Sequence, residues 1–293
     1  MLPSSTMRPK LAGMSSDWKR VGVIDVGSNS VRLVVHDMKG RAFQQIFNEK
    51  VLAGLGRGLG ETGRLNPAGV ELALAALKRF AAITAAQGTD VVHAFATAAV
   101  REAADGEAFV EQARRDAGVR LRILSGREEA RLAAEGVLAG SPGVNGVVGD
   151  LGGTSLELAV VRRGRYVGGE TYPLGPLALE GLGSFSEDKV MARVRQVLRD
   201  AGELQSGEET FFAVGGAWRT IASVHMELAK APLHMLQNYE MDAGELAPLL
   251  SDFVGGKKFA KLMQDVARRR LDTIPYAACV LRGVLETGRF RSV

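Results

Sequence analysis

Asp25-Val26-Gly27-Ser28-Asn29-Ser30-Val31-Arg32-Leu33 returns as Asp150-Leu151-Gly152-Gly153-Thr154-Ser155-Leu156-Glu157-Leu158, without a gap and at a constant offset of 125 positions (25 to 150, 33 to 158). An apolar, β-branched run precedes each copy and another follows it, so each reads as strand, turn, strand. A P-loop or dinucleotide loop would instead open a helix. Small residues let a backbone approach a phosphate closely, and successive N–H groups form an anion-binding nest. The predicted phosphate contacts are Gly27, Ser28, Asn29 and Ser30 in the first turn and Gly152, Gly153, Thr154 and Ser155 in the second, with hydroxyl donors from Ser28, Ser30, Thr154 and Ser155. Asp25 and Asp150, at strand ends, suit a hard cation held through water. A tight β-turn accounts for either copy alone. Two copies in register, each opening one half of the chain, favour a duplicated phosphate-binding fold.

Working outward, the same order of elements follows each copy. Val21–Val26, Val31–His36 and Ala42–Asn48 form an antiparallel meander, matched later by Gly146–Leu151, Leu156–Val161 and Tyr166–Tyr172. Asn66-Pro67 opens a helix, with Asn as N-cap and Pro at the first helical position. Val91–Ala96 reads as a buried strand, Asp105–Ala117 as a helix closed by Gly118, and Arg127–Ala139 as another helix. Later helices are expected over Glu187–Ala201, Trp218–Ala229, Ala243–Val254, Phe259–Arg270 and Thr273–Gly288. Ser141-Pro142-Gly143 is the expected boundary, giving a loose tail over 1–19, a first lobe over 20–141 and a second over 142–293.

The 293 residues suit two domains, and 46% hydrophobic with 24% charged residues is an ordinary globular balance. The net charge of +4 is compatible with an anionic ligand. No zinc-finger spacing or aromatic RNA-binding signature points to nucleic acid, and no apolar run is long enough to span a membrane. Cys279 is the only cysteine. It reads as a buried structural thiol in an intracellular, cytoplasmic chain.

Several further features bear on a site. Ser125-Gly126-Arg127-Glu128 fits a capping box, which occupies Glu128 and leaves Glu129 available on the first helical turn. Gly215-Gly216 joins a strand to a helix, and its N–H groups could hold a phosphate or serve helix packing alone. Arg32 suits either a phosphate or an acid within its own lobe; Glu157 suits either a metal or a basic partner. Gly58-Leu59-Gly60-Glu61-Thr62-Gly63 matches G-x-G-x-x-G but opens no helix directly, so a mobile loop at a cleft mouth is expected, with Arg57 near an anion. His93 is expected in the core. Arg268-Arg269-Arg270 reads as a solvated face or as a path for a polyanion.

With Ile24–Arg32, Ala96-Thr97-Ala98-Ala99-Val100-Arg101, Ser125–Ala130, Asp150–Glu157 and Val214-Gly215-Gly216 in this order, the chain resembles the exopolyphosphatase/guanosine pentaphosphate phosphohydrolase (Ppx/GppA) family. The resemblance implies an α/β, actin-like (ribonuclease H-like) duplicated two-lobe ATPase-type fold with an interlobe active site. It implies Mg²⁺-dependent release of terminal phosphate from inorganic polyphosphate, or from guanosine pentaphosphate, with a homodimer as a candidate assembly. A catalytically impaired polyphosphate- or alarmone-binding protein is the other reading. Carried onto this sequence, Glu129 is the base that activates water and Arg101 the phosphate clamp. Asp150, Asp25 and Glu157 serve the metal; Arg32, Gly215 and Gly216 join the two turns as phosphate contacts. Thr154 stands where the family usually has a third glycine, which predicts either a tighter second turn or an altered phosphate contact. Ala217 replaces a usual hydroxyl residue, and the second lobe reads as shortened at its C-terminal end.

Overall fold

The computed structural model describes residues 18–255 and 271–293. The tail before Trp18, the helix expected over Phe259–Arg270 and the arginine triplet within it lie outside the described residues. Two compact units divide between Leu124 and Ser125.

The first unit runs β1 (Lys19–Val26), β2 (Val31–Lys39), β3 (Ala42–Val51), α1 (Leu59–Thr62), α2 (Pro67–Ala86), β4 (Val91–Ala96), α3 (Ala98–Glu102), α4 (Gly106–Ala117) and β5 (Arg122–Ile123). Its sheet has the order β3-β2-β1-β4-β5, with the first three strands antiparallel and the last two pairings parallel. Ile24, Val26, Val31, Leu33 and Val35 alternate onto one face and meet Ala73, Leu77 and Phe80 of α2, all fully or almost fully buried. Asn66 caps α2 as expected, its Oδ1 accepting from Gly69 N at 2.9 Å.

The second unit runs α5 (Gly126–Gly140), β6 (Gly146–Leu151), β7 (Leu156–Arg162), β8 (Arg165–Tyr172), α6 (Pro176–Glu180), α7 (Glu187–Leu198), β9 (Phe211–Val214), α8 (Gly216–Leu228), α9 (Ala243–Gly255) and α10 (Ile274–Gly288). Its sheet has the order β8-β7-β6-β9. The position beside β9 is taken by the last residues: Ser292 bridges Thr210 and Asp242, and Phe211 N donates to Ser292 O at 2.9 Å. The sheets therefore repeat one topology, the ribonuclease H-like order. The β-bulges repeat as well, at Val35/His36 and at Val160/Val161.

One face of the second sheet carries Val147, Leu151, Leu156 and Leu158 into a core with α7, α8, α9 and α10. Trp218 is its largest fully buried side chain. The ring meets Phe211 edge-on at 5.6 Å and donates from Nε1 to Ala277 O at 2.9 Å. The other face is covered by α5, whose Ala130 and Ala134 pack on Val148, Ala159 and Val161. This packing places α5 with the second unit, whereas the glycine- and proline-rich turn at 141–143 suggested a boundary after the helix. Small side chains allow a close approach to the sheet, and that apolar contact outweighs the local turn signal.

Two other expectations differ from the structure. Val91, Val92 and His93 are exposed, and His93 stacks on Phe95 instead of lying in the core. The short β5 pairs only with Phe95 and Ala96, so the first half of β4 is an open edge. The Gly58–Gly63 stretch, expected as a loop, contains α1, bounded by left-handed Gly58 and Gly63, and buries Leu59. Cys279 is fully buried, and burial pushes its thiol up to about 12, as expected for a structural cysteine. No helix among the described residues is long and apolar enough to cross a membrane.

Removing the Trp218 ring leaves a cavity against Phe211 and removes the hydrogen bond to Ala277 O. Trp218→Ala should cost about 3–5 kcal/mol, read by urea unfolding followed by circular dichroism.

Candidate active site

The two turns are held alike. Gly27 N donates to Ser30 O, and Gly152 N to Ser155 O, both at 2.9 Å. Segments beyond the third strand of each meander then bind the turn carbonyls. Gly54 N and Gly56 N reach Asn29 O and Ser28 O at 3.0 and 2.7 Å; Gly175 N and Leu177 N reach Thr154 O and Gly153 O at 3.1 and 2.8 Å. The glycine-rich stretch of the first unit is thus a strap that fixes the amide planes of its turn. In the second unit Gly175 is needed for close approach, because a Cβ there would lie 2.4 Å from the Gly153 and Thr154 backbone. Thr154 itself has no left-handed backbone. The tighter turn expected from its Cβ therefore carries no strain, and its side chain is buried.

Strand register sets a row of side chains beside each turn. In the first unit Asp25 pairs with Arg32, and Arg32 with Lys50. In the second, Asp150 pairs with Glu157, and Glu157 with Thr171. Paired residues share a face, so each trio lines up across three strands. The rows are equivalent in position and opposite in charge: one acid with two cations, against two acids with a hydroxyl.

In the first row Arg32 Nε donates to Asn48 Oδ1 at 2.9 Å. The Asp25 carboxyl is raised by lost hydration above all, while Lys50 and then Arg32 pull it down. Asp25 is nonetheless exposed to solvent. A rim position reconciles the two, since water reaches the group while surrounding protein displaces much of its hydration shell. Lys50 was not singled out from the sequence. Arg101, in α3 just after β4, is anchored by Nη1 donating to Leu124 O at 2.8 Å.

The second row is an acid cluster. Glu157 is 4% exposed and accepts from Thr171 Oγ1 at 2.8 Å. Burial, then the charges of Glu129 and Asp150, push its carboxyl up to about 8, against hydrogen bonds from Ser155 and Thr171 that favour the charged form. Glu129 reaches this cluster from the first turn of α5. The capping box is formed as expected: Ser125 N donates to Glu128 Oε2 at 2.9 Å and Glu128 N to Ser125 Oγ at 3.3 Å. Glu128 is therefore spent on the helix end, and the neighbouring position carries the second acid. Gly215, at φ 112, lies against the end of β6; a Cβ there would sit 2.6 Å from Leu151 O. This contact brings the N-terminus of α8, with Gly216, next to the strand end that leads into the Gly152–Ser155 turn.

Of the residues expected from the sequence, the second unit thus gathers Glu129, Asp150, Glu157, the Gly152–Ser155 turn and Gly215-Gly216. The first unit gathers Asp25, Arg32 and the Gly27–Ser30 turn, with Arg101 following β4. Among the described residues no group of three or more His, Cys, Asp or Glu side chains is arranged to hold a metal ion. Thr171, like Lys50, was missed. Counting the hairpin register back from Leu156 opposite Tyr172 would have placed it beside Glu157.

Duplicated sheets with paired glycine turns at the strand ends define a protein of the actin-like fold class. A family model described as the Ppx/GppA phosphatase family matches residues 33–291, and the chain belongs to that family. Exopolyphosphatase 1 of Mycobacterium tuberculosis is 34% identical over 114 residues, covering 39% of this chain and 33% of that protein. A guanosine-5'-triphosphate,3'-diphosphate pyrophosphatase of Aeromonas hydrophila is 29% identical over 280 residues, 90% of this chain and 54% of that protein. The chain thus spans about half, or less, of the length of these curated relatives. Among solved structures, an Aquifex aeolicus Ppx/GppA family member superposes with TM-score 0.77 at 24% identity, covering 94% of this chain and 92% of that one. An exopolyphosphatase from Cytophaga hutchinsonii superposes with TM-score 0.83 at 20% identity, covering 94% and 92%. These likenesses confirm the fold.

Two expectations follow. Gly175→Ala should cost about 1–3 kcal/mol in urea unfolding, because its Cβ meets backbone that cannot rotate away. Glu157 holds a proton in the folded chain that the unfolded chain releases at lower pH. Its contribution to stability is therefore lost as pH rises from the ordinary glutamate range through about 8. With chelator present, the melting temperature of the parent should fall between about pH 5.5 and about pH 8.5 more steeply than that of Glu157→Gln.

Proposed function

We propose that the chain hydrolyses phosphoanhydride bonds, removing the terminal phosphate of inorganic polyphosphate. The observation that carries this reading is the Glu129–Glu157–Asp150 cluster beside the pinned Gly152–Ser155 turn. In the proposed reaction a water oxygen bonds to the terminal phosphorus while the anhydride P–O bond breaks. The shortened chain leaves as an anion, inorganic phosphate is formed, and Glu129 takes the proton of the attacking water.

The donor set fits a hard divalent cation. Asp150 and Glu157 offer only oxygen, and Glu157 is a buried acid whose charged form is opposed by neighbouring acids. Mg²⁺ commonly binds through one or two carboxylates with water and substrate oxygens, so a three-residue cage is not required. In this reading Asp150 and Glu157 hold Mg²⁺, which when bound supplies positive charge to the phosphoryl oxygens. The Gly152–Ser155 turn and the α8 N-terminus offer N–H and hydroxyl donors to phosphate. In the first unit the Gly27–Ser30 turn, Arg32 and Arg101 are proposed as phosphate-binding groups, and Asp25 as a water-mediated ligand of a cation beside its own turn.

Removal of the 5'-terminal phosphate of guanosine pentaphosphate is the second reading, favoured by the long match to the Aeromonas protein. Phosphate release from long-chain polyphosphate, guanosine pentaphosphate and ATP in the presence of Mg²⁺ separates the readings. Glu129→Gln should lower kcat by roughly 10²–10⁴-fold on the true substrate. Tight binding of polyphosphate without turnover in the parent, or full activity in Glu129→Gln, would overturn the assignment.

A further inference from the structure

Thr171 makes two contacts that no simpler residue makes together. Its Oγ1 donates to Glu157 Oε1 at 2.8 Å, from the position directly across β7 and β8. The rest of its side chain is the surface on which α5 lands. A Cβ added at Gly126 would lie 2.1 Å from Thr171 Cγ2 and 2.6 Å from Thr171 Cβ. Gly126 is the first residue of α5, and Glu129 stands on the same helical turn. One side chain therefore has its hydroxyl on one acid of the cluster and its methyl against the turn that carries another. Serine would keep the hydroxyl alone and valine the branched shape alone. Branching at Cβ restricts χ1, so both contacts are held in one rotamer.

We infer that Thr171 is the positioning residue of the acid cluster: its hydroxyl orients the Glu157 carboxylate while its methyl seats the α5 turn, fixing the spacing between Glu157 and Glu129. This rests on the proposed hydrolase reading for its effect on turnover, but not for its effect on the cluster. Ser155, the other hydroxyl acting on Glu157, belongs to the turn. Arg127, beside Gly126, is held on the outside of the same strand by Glu170 at 2.7 Å, which steadies the helix end without reaching the acids.

The test compares Thr171→Val, which keeps the shape and removes the donor, with Thr171→Ser, which keeps the donor and removes the methyl. The readouts are Mg²⁺ binding by calorimetry and kcat and KM for phosphate release from long-chain polyphosphate, on protein whose melting temperature confirms folding. Thr171→Val should weaken Mg²⁺ binding and lower kcat, each by roughly 10–100-fold, with KM nearly unchanged. Thr171→Ser should recover most of the Mg²⁺ affinity. Parent-like Mg²⁺ binding in Thr171→Val overturns the assignment, whether or not the chain turns over polyphosphate. An inactive parent that binds Mg²⁺, with binding weakened only in Thr171→Val, supports the positioning role and overturns the hydrolase reading. A parent that neither binds Mg²⁺ nor releases phosphate overturns both.

Discussion

The second unit is organised around a buried carboxyl. Glu157 is almost inaccessible to water, two other acids act on it, and only two hydroxyls offset the lost hydration. Burying such a group is unfavourable unless it is hydrogen-bonded or neutralised. The surrounding structure meets that constraint piece by piece. Register puts Thr171 opposite, the turn brings Ser155, and the small face of α5 lets Glu129 approach. Neighbouring acids oppose the charged form of Glu157, and this links the packing to the proposed chemistry.

Duplication provides the frame, and divergence within it provides the chemistry. Both units place a row of three side chains across the first three strands beside a glycine turn. In the first unit the row is Asp25, Arg32 and Lys50; in the second it is Asp150, Glu157 and Thr171. Two exchanges, Arg32 against Glu157 and Lys50 against Thr171, together set the sign of each row. The straps differ too. The first uses Gly54 in left-handed backbone together with Gly56, the second the close approach of Gly175. Both reach the same end, holding turn carbonyls so that the amide geometry is set by the main chain.

Much of this was legible in the sequence because it is local. The in-register repeat, the meander after each turn, the Asn66 cap and the Ser125–Glu128 capping box depend on residues within one or two turns of each other. Local rules of periodicity and capping therefore recovered them. The same rules separated Glu128 from Glu129, and the structure keeps that distinction. Expectations that required knowing what packs on what fared differently. The 141–143 turn did not mark the division of the units, His93 is exposed, and the glycine-rich stretch is hydrogen-bonded to the first turn.

What the sequence alone determined was the repeated strand–turn–strand and the capped helix starts, since these follow from short spacing, while the fold class followed from the family resemblance that those motifs carry. Tertiary structure decided which of them meet. Thr171 reaches Glu157 through hairpin register, and Gly126 sets the height of α5 through a missing Cβ. Lys50 faces Asp25 only because β3 lies beside β2. Each of these depends on distances between segments far apart in the chain, and such distances are set by packing.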